Sequence, residues 1–259
     1  MCGRFITVSK VKTIEKRFNI NIDYPDAFIA NFNLGIGQQA PVITDKDPKQ
    51  VQFFTFGLTP FWAKKPMYLF NARSEGDNNK QNDPNYSGGK GIILKAAFRK
   101  PIRSQRCLVI ADAFIEGTTI EGLNKAHLVY VRNSRPFAFA GIWDTWQNPK
   151  NNEQINSFSI ITTTANELLQ QLPHQRMPVI LEPKHEKHWL NPKTPLTDVT
   201  RILKAFPAGR MNAYPITPDI KNPKAKGRAL IDPQGERLLK EERYETTELL
   251  KKSGMGRHR

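Results

Sequence analysis

Short runs rich in Val, Ile, Phe and Thr recur along the chain at 51–58, 107–115, 127–132, 137–143, 158–164 and 177–181, and their alternating or continuous apolar pattern predicts β-strands. Helical spacing is confined to Val11, Ile14 and Phe18 near the start, to 166–172 stopped by Pro173, to 183–190, and to 197–206 stopped by Pro207. The helices are fewer than the strands and do not alternate with them. That order predicts an α+β fold, a compact single domain built on a mainly antiparallel, barrel-like β-sheet with flanking helices, and argues against a doubly wound parallel sheet. No internal repeat is present. The polar, Gly- and Asn-rich stretch 76–91 reads as a loop inside the domain and is expected to be mobile. The domain is expected to span 2–230, followed over 231–259 by a charged, weakly helical extension whose last residues are expected to be disordered.

Composition narrows the class of partner. The chain has 259 residues, with 39 Lys plus Arg against 24 Asp plus Glu, a formal net charge of +15 and a pI near 9.9. At 39% hydrophobic and 10% aromatic residues there is ample material for a core. No apolar run approaches the roughly 18 residues of a membrane span, and the first residues mix charge with apolar positions, which excludes spanning and secretion and predicts a cytoplasmic protein. The two cysteines, Cys2 and Cys107, are too few for a disulfide framework or a Cys-rich zinc site. A charge of this size attracts polyanions by Coulomb steering and counterion release, so nucleic acid is the leading partner class.

The candidate chemistry begins at MCGRF. Aminopeptidases generally remove Met1 before a small second residue, and Cys2 would then carry a free α-amine and a thiol on adjacent carbons. An α-amine with a pKa of about 7.7–8.0 is substantially unprotonated near neutrality, unlike a lysine amine at about 10.4, so it is a ready Schiff-base nucleophile towards an aldehyde. The neighbouring thiol can add to the imine carbon and close a five-membered thiazolidine ring. Further along, FGLTPFWAKK and FNARSEG place Phe61 and Trp62 as stacking faces, and Lys64, Lys65 and Arg73 as phosphate partners. The stretch 95–106 holds Lys95, Arg99, Lys100, Arg103 and Arg106 without an acidic residue, interrupted by Phe98. In RCLVIADAFIEG, Asp112 and Glu116 are carboxylates in an apolar run, costly to bury without a role; desolvation would make Glu116 a proton carrier. In PHQRMPVIL, His174 is a proton shuttle candidate and Arg176 a phosphate holder. His185 and His188 lack a third ligand nearby, so no metal is expected. No P-loop, GxGxxG or nucleophile-elbow pattern points to a nucleotide cofactor or a serine hydrolase.

Taken in order, MCGRF, FGLTPFWAK, NARSE, KAAFRKPIRSQRCLVIADAFIEG, FAFAGIWDTW, FSIITTTAN and HQRMPVIL resemble the SRAP family, the SOS response-associated peptidase domain, over about residues 2–220. The resemblance implies a barrel-like α+β fold that binds single-stranded DNA and captures abasic sites as a thiazolidine crosslink in the DNA damage response, with no cofactor. Carried over by position, it implies Cys2 as nucleophile, Asn71 orienting the reacting groups, and Glu116 and His174 moving protons. Arg4, Arg73 and Arg176 then correspond to phosphate contacts and Trp62 to a base-stacking or wedge residue, with Phe98 and Arg99 as further DNA-binding candidates. The family's peptidase label comes from cysteine-dependent removal of its own leading residues. A Schiff base also permits β-elimination, a lyase step with which ring closure competes. The chain departs from the family pattern at Ile36, in place of a proline, and at Ile115 and Gly117 around Glu116.

The expected partner is therefore single-stranded DNA containing abasic sites, bound by a monomer without membrane or small-molecule cofactor. Two rivals stand beside this reading. One is a cysteine peptidase with Cys2 as nucleophile and His174 as base; the other is a noncatalytic basic module whose DNA binding is salt-sensitive and indifferent to Cys2→Ala.

Overall fold

The computed structural model describes residues 3–133 and 135–241. The chain begins with β1 (Arg4–Thr7), α1 (Val11–Phe18), β2 (Asn31–Gly35), β3 (Gln39–Thr44), β4 (Gln52–Phe56) and β5 (Asn71–Arg73). It continues with α2 (Pro101–Ser104), β6 (Arg106–Ala111), β7 (Ala113–Thr118), β8 (Gly122–Val131), β9 (Phe137–Gln147) and β10 (Gln154–Thr164). The last elements are α3 (Glu167–Gln170), β11 (Arg176–Pro178), β12 (Ile180–Leu181), α4 (Pro183–Leu190), α5 (Leu196–Arg201) and β13 (Met211–Pro215).

Five strands close on themselves: β10 pairs with β4, β4 with β3, β3 with β6, β6 with β9, and β9 again with β10. Only the β10–β4 step of this ring is parallel. β5 and β11 extend the ring from β10, and β12 extends it from β9. A second sheet, ordered β13-β8-β7-β1-β2, is antiparallel throughout. This is the α+β, mainly antiparallel barrel that the strand-rich pattern predicts.

Period-two alternation sorts the side chains. Val109, Phe139 and Phe158 face the ring interior, and Phe5, Phe114 and Val129 of the second sheet join the same cluster. Edge-on aromatic contacts knit the two sheets, with ring centroids 5.4 Å apart for Phe5–Phe56 and 5.9 Å for both Phe5–Phe139 and Phe114–Phe139. The alternate residues of β6 and β9, such as Leu108, Ile110 and Ile142, face outward under Ile14, Ile102, Trp189 and Val199 of the helices. On the outer face of the second sheet, Ile6, Ala113, Ile115 and Leu128 pack against Ile220 and Leu230.

The run 107–115, continuous in the sequence pattern, is two strands: β6 belongs to the ring and β7 to the second sheet. Asp112 occupies the handover. Its buried carboxylate accepts the N–H groups of Val8 at 2.6 Å and Ser9 at 2.8 Å and the Ser9 hydroxyl, while its own N–H donates to the Ile6 carbonyl at 2.9 Å. The carboxylate thus ends β1 and fixes its register.

Other boundaries shift modestly. The helix expected over 197–206 is α5, which stops at Arg201, and 166–172 contracts to α3, where the Asn166 side chain caps Leu169 N–H at 3.1 Å. The run 177–181 divides into β11 and β12. The weakly helical reading of the C-terminal extension is corrected up to Glu241. That part runs antiparallel past β13, with Gln234 and Leu238 N–H donating to Pro215 and Ala213 carbonyls at 2.9 Å each, and with Leu238 and Leu239 packed on the interior cluster. The rest of the extension, 242–259, lies outside the described residues. Nor is the 76–91 loop without anchors: Asn79 accepts Asp83 N–H at 2.9 Å and Lys95 pairs with Asp77 at 2.7 Å. No helix among the described residues is long and apolar enough to cross a membrane.

Asp112→Ala leaves three donors around the end of β1 without their acceptor. It should cost about 3 kcal/mol in urea denaturation, with Asp112→Asn recovering part of the loss; a cost below about 1 kcal/mol would contradict the anchoring role.

Candidate functional site

Alternation along β7 turns Ala113 and Ile115 outward and Phe114 inward, so Glu116 points with Phe114 towards the space between the sheets. Phe5 pairs with Phe114 and Ile6 with Ala113. Continuing that antiparallel register by two residues sets Gly3 level with Glu116. Cys2 itself lies outside the described residues.

Glu116 is almost wholly buried, and its Oε2 lies 3.2 Å from His174 Nε2. His174 reaches it because the Pro173 carbonyl accepts Thr119 N–H at 3.1 Å, which ties the segment after α3 to the β7–β8 hairpin, while His174 N–H returns to the Leu169 carbonyl at 3.1 Å. Burial raises Glu116 from an ordinary 4.5 to about 7. Burial also lowers His174 from 6.5 to about 4, a shift that the ring's hydrogen bond to the Gly117 backbone only partly opposes. Between those values the pair is a carboxylic acid beside a neutral imidazole, with one mobile proton near neutrality.

The family departures around Glu116 have a steric account. A Cβ on Gly117 would meet the Gly122 carbonyl oxygen at 2.0 Å, so the close hairpin approach requires glycine there. Ile115 packs in the outer cluster, away from Glu116, and Ile36 is exposed at the β2–β3 turn.

On the facing wall β5 pairs in parallel with β10, setting Asn71 opposite Ile160 and Arg73 opposite Thr162. Ala72 packs outward, so Asn71 and Arg73 share the inner side with Ile160. Asn71 Nδ2 donates to the Phe70 carbonyl at 3.0 Å. Arg73 donates to the Asn79 carbonyl and, at 2.9 Å, to Asn82 Oδ1. Beyond it Glu75, 1% exposed, takes Arg176 Nη2 at 2.9 Å and the Thr163 hydroxyl at 2.9 Å, with Lys90 Nζ at 4.0 Å. Burial, the largest single influence, would raise the Glu75 carboxyl, but the charge and hydrogen bond of Arg176, a backbone hydrogen bond at Glu75 and the Thr163 hydroxyl together hold it below the usual carboxylate range.

Two expected DNA contacts need correction. Phe98 packs with Ile92 and Ile102 in the core under the helices, so its ring offers no stacking face. Arg176 is buried against Glu75, 101 residues away in sequence, a partner that no local pattern reveals. Arg106 also leaves the surface patch, its guanidinium donating to the carbonyls of Ile102 at 3.0 Å, Arg103 at 2.7 Å and Asn191 at 2.6 Å. Arg99, Lys100 and Arg103 remain exposed, as are Phe61 and Trp62. Arg4 is half-buried on the face opposite Phe5, donating to Asn33 Oδ1 at 2.6 Å and the Lys221 carbonyl at 2.8 Å. Among the described residues no group of His, Cys, Asp and Glu is suited to hold a metal ion.

The two perturbed groups have opposite linkage to stability. Glu116, raised from 4.5 to about 7, loses stability as pH climbs through that interval; His174, lowered from 6.5 to about 4, gains it as pH climbs through its own. In the wild type the slopes nearly cancel between about pH 4.5 and 6.5. Glu116→Gln removes the first, so its stability relative to wild type should rise by on the order of 2 kcal/mol across that window in chemical denaturation; parallel curves would refute the shifted pair.

Residues 1–223 match the family described as SOS response associated peptidase (SRAP). The abasic site processing protein YoqW of Bacillus subtilis is 33% identical over 239 residues, covering 90% of this chain and 99% of its own. The abasic site processing protein HMCES of Gallus gallus is 24% identical, over 72% of this chain and 61% of its own. A crystal structure of a Bacteroides thetaiotaomicron protein superposes with a TM-score of 0.76 at 26% identity, covering 90% of this chain and all of that one. With its ring of five strands, the covering second sheet and the matched residues, this chain belongs to the SRAP family.

Proposed function

We propose that this protein binds single-stranded DNA as a monomer, without a cofactor, and captures abasic sites covalently through Cys2 once Met1 is gone. The observation that carries the reading is the buried Glu116–His174 pair, 3.2 Å apart and level with Gly3 in the β1–β7 register. Cys2 directly precedes Gly3 in the chain, and its α-amine and thiol are the groups assigned to this proton donor.

The ring-opened abasic sugar supplies an aldehyde. Attack by the Cys2 amine gives a carbinolamine, and loss of water from it requires a proton on the departing oxygen. Glu116, with a pKa of about 7, donates that proton near neutrality and accepts one back with comparable ease. The thiol then adds across the C=N bond: sulfur bonds to the former aldehyde carbon, and its proton ends on nitrogen. Run in reverse, the same transfers hydrolyse the ring. The neutral His174 imidazole orients the Glu116 carboxyl and shares its proton. Asn71, on the opposite wall, orients the reacting groups, while Trp62, Arg4, Arg73 and Arg99 hold the strand. Release of Met1 by cysteine-dependent hydrolysis, and β-elimination from the imine, draw on the same groups.

Intact mass before and after incubation with a single-stranded oligonucleotide carrying one abasic site tests the reading. Met1-free protein should gain an adduct that survives denaturation, Cys2→Ala should gain none, and Glu116→Gln should form it roughly a hundredfold more slowly. Met1-free protein that binds the DNA without forming an adduct would reduce the chain to a binding module. Cleavage of added peptides by wild type but not by Cys2→Ala would favour the peptidase.

A further inference from the structure

Residues 59–68 form a loop whose side chains are unusually apolar for their exposure. Phe61 is 54% exposed, Trp62 48%, Met67 42% and Tyr68 48%. Such a surface patch marks an interaction site. The backbone beneath it is pinned from inside: Leu58 and Leu69 exchange hydrogen bonds at 3.0 and 2.9 Å, Ser157 Oγ accepts Thr59 N–H at 2.9 Å, and Trp146 Nε1 donates to the Ala63 carbonyl at 2.6 Å.

The central pin is Asp144, 2% exposed near the end of β9. Its Oδ2 accepts Phe61 N–H at 2.9 Å, directly beneath the exposed rings. Its Oδ1 accepts Gln105 Nε2 at 3.2 Å and Thr145 N–H at 3.0 Å. Gln105 ends α2, and Lys100 precedes the same helix with its Nζ 4.4 Å over the Phe61 ring. One buried carboxylate therefore joins the aromatic loop to the exposed cations Arg99, Lys100 and Arg103.

We propose that Asp144 is a positioning residue that holds Phe61 and Trp62 as a rigid stacking platform for the bases of a single strand, beside the α2 cations that meet its phosphates. This rests on the single-stranded DNA reading above. Stacking contributes about 1–3 kcal/mol per base, and a platform ordered before binding retains that gain because no loop entropy is lost on association. In Asp144→Asn the shape is kept, but the amide NH2 must face one of two backbone donors, Phe61 N–H or Thr145 N–H, donor against donor.

The test uses the full-length protein and an undamaged oligothymidylate at fixed salt, read by fluorescence anisotropy. Asp144→Asn should raise Kd about fivefold or more, with an unchanged salt slope because no phosphate contact is lost. With abasic DNA, the half-saturating concentration should rise while the maximal rate of adduct formation changes by less than about twofold. In a Trp62→Ala background, Asp144→Asn should add little, since its effect passes through the loop. Wild-type affinity in Asp144→Asn, or full additivity with Trp62→Ala, overturns the proposal. A measurement independent of any variant is hydrogen exchange at the Phe61 amide, which should be strongly protected despite the exposed ring; exchange at an open-loop rate also overturns it. Failure of the wild-type protein to bind the oligonucleotide would instead overturn the underlying DNA reading, and the platform with it.

Discussion

The geometry of the site depends on the hydrogen bonds of Asp112. This carboxylate sits where the chain leaves the five-stranded ring and enters the second sheet, and it grips Val8 and Ser9 at the end of β1. A strand slipped by one residue turns every side chain to the opposite face. With β1 locked, Phe5 enters the shared aromatic cluster and Gly3 falls level with Glu116. The same residue therefore stabilises the junction of the two sheets and fixes the register in which β1 runs beside the strand that carries Glu116.

Buried charge is handled differently on the two walls of the site. At Glu116 and His174 burial drives both groups towards neutrality, which leaves a transferable proton in place of an ion pair. At Glu75 the guanidinium of Arg176 keeps the carboxylate charged, a rigid pair supported by Thr163. The first arrangement suits proton transfer and the second suits fixing a wall. The net charge of +15 is likewise divided. Arg106 and Arg176 are consumed by internal carbonyls and carboxylates, whereas Arg99, Lys100 and Arg103 remain on the surface beside the aromatic loop.

Long apolar strands were legible in the sequence because β-branched and aromatic residues dominate β6, β9 and β10. Short ones were not: β5 has three residues, β3 contains Pro41, and β1 and β2 mix polar with apolar positions, so each owes its existence to partners distant in sequence. The break at Asp112 was hidden because its acceptors' partners lie more than 100 residues away. Glu116 and His174 were legible as chemistry, one a carboxylate in an apolar run and the other a histidine between helix and strand. Their contact across 58 residues was not, nor was the Arg176–Glu75 pair. Phe98 misled for a related reason: an aromatic between cations reads as a stacking face until the helix packing shows it turned inward.

The fold places a neutral carboxylic acid, held by a neutral imidazole, level with the start of β1. An NMR titration of the Glu116 side-chain carboxyl carbon, followed together with the His174 ring nitrogens, measures this directly. The carboxyl midpoint should fall at about 7, and the ring should stay neutral until the pH falls to about 4. A carboxyl that titrates near its ordinary 4.5 beside a ring that protonates near 6.5 would contradict this neutral pairing.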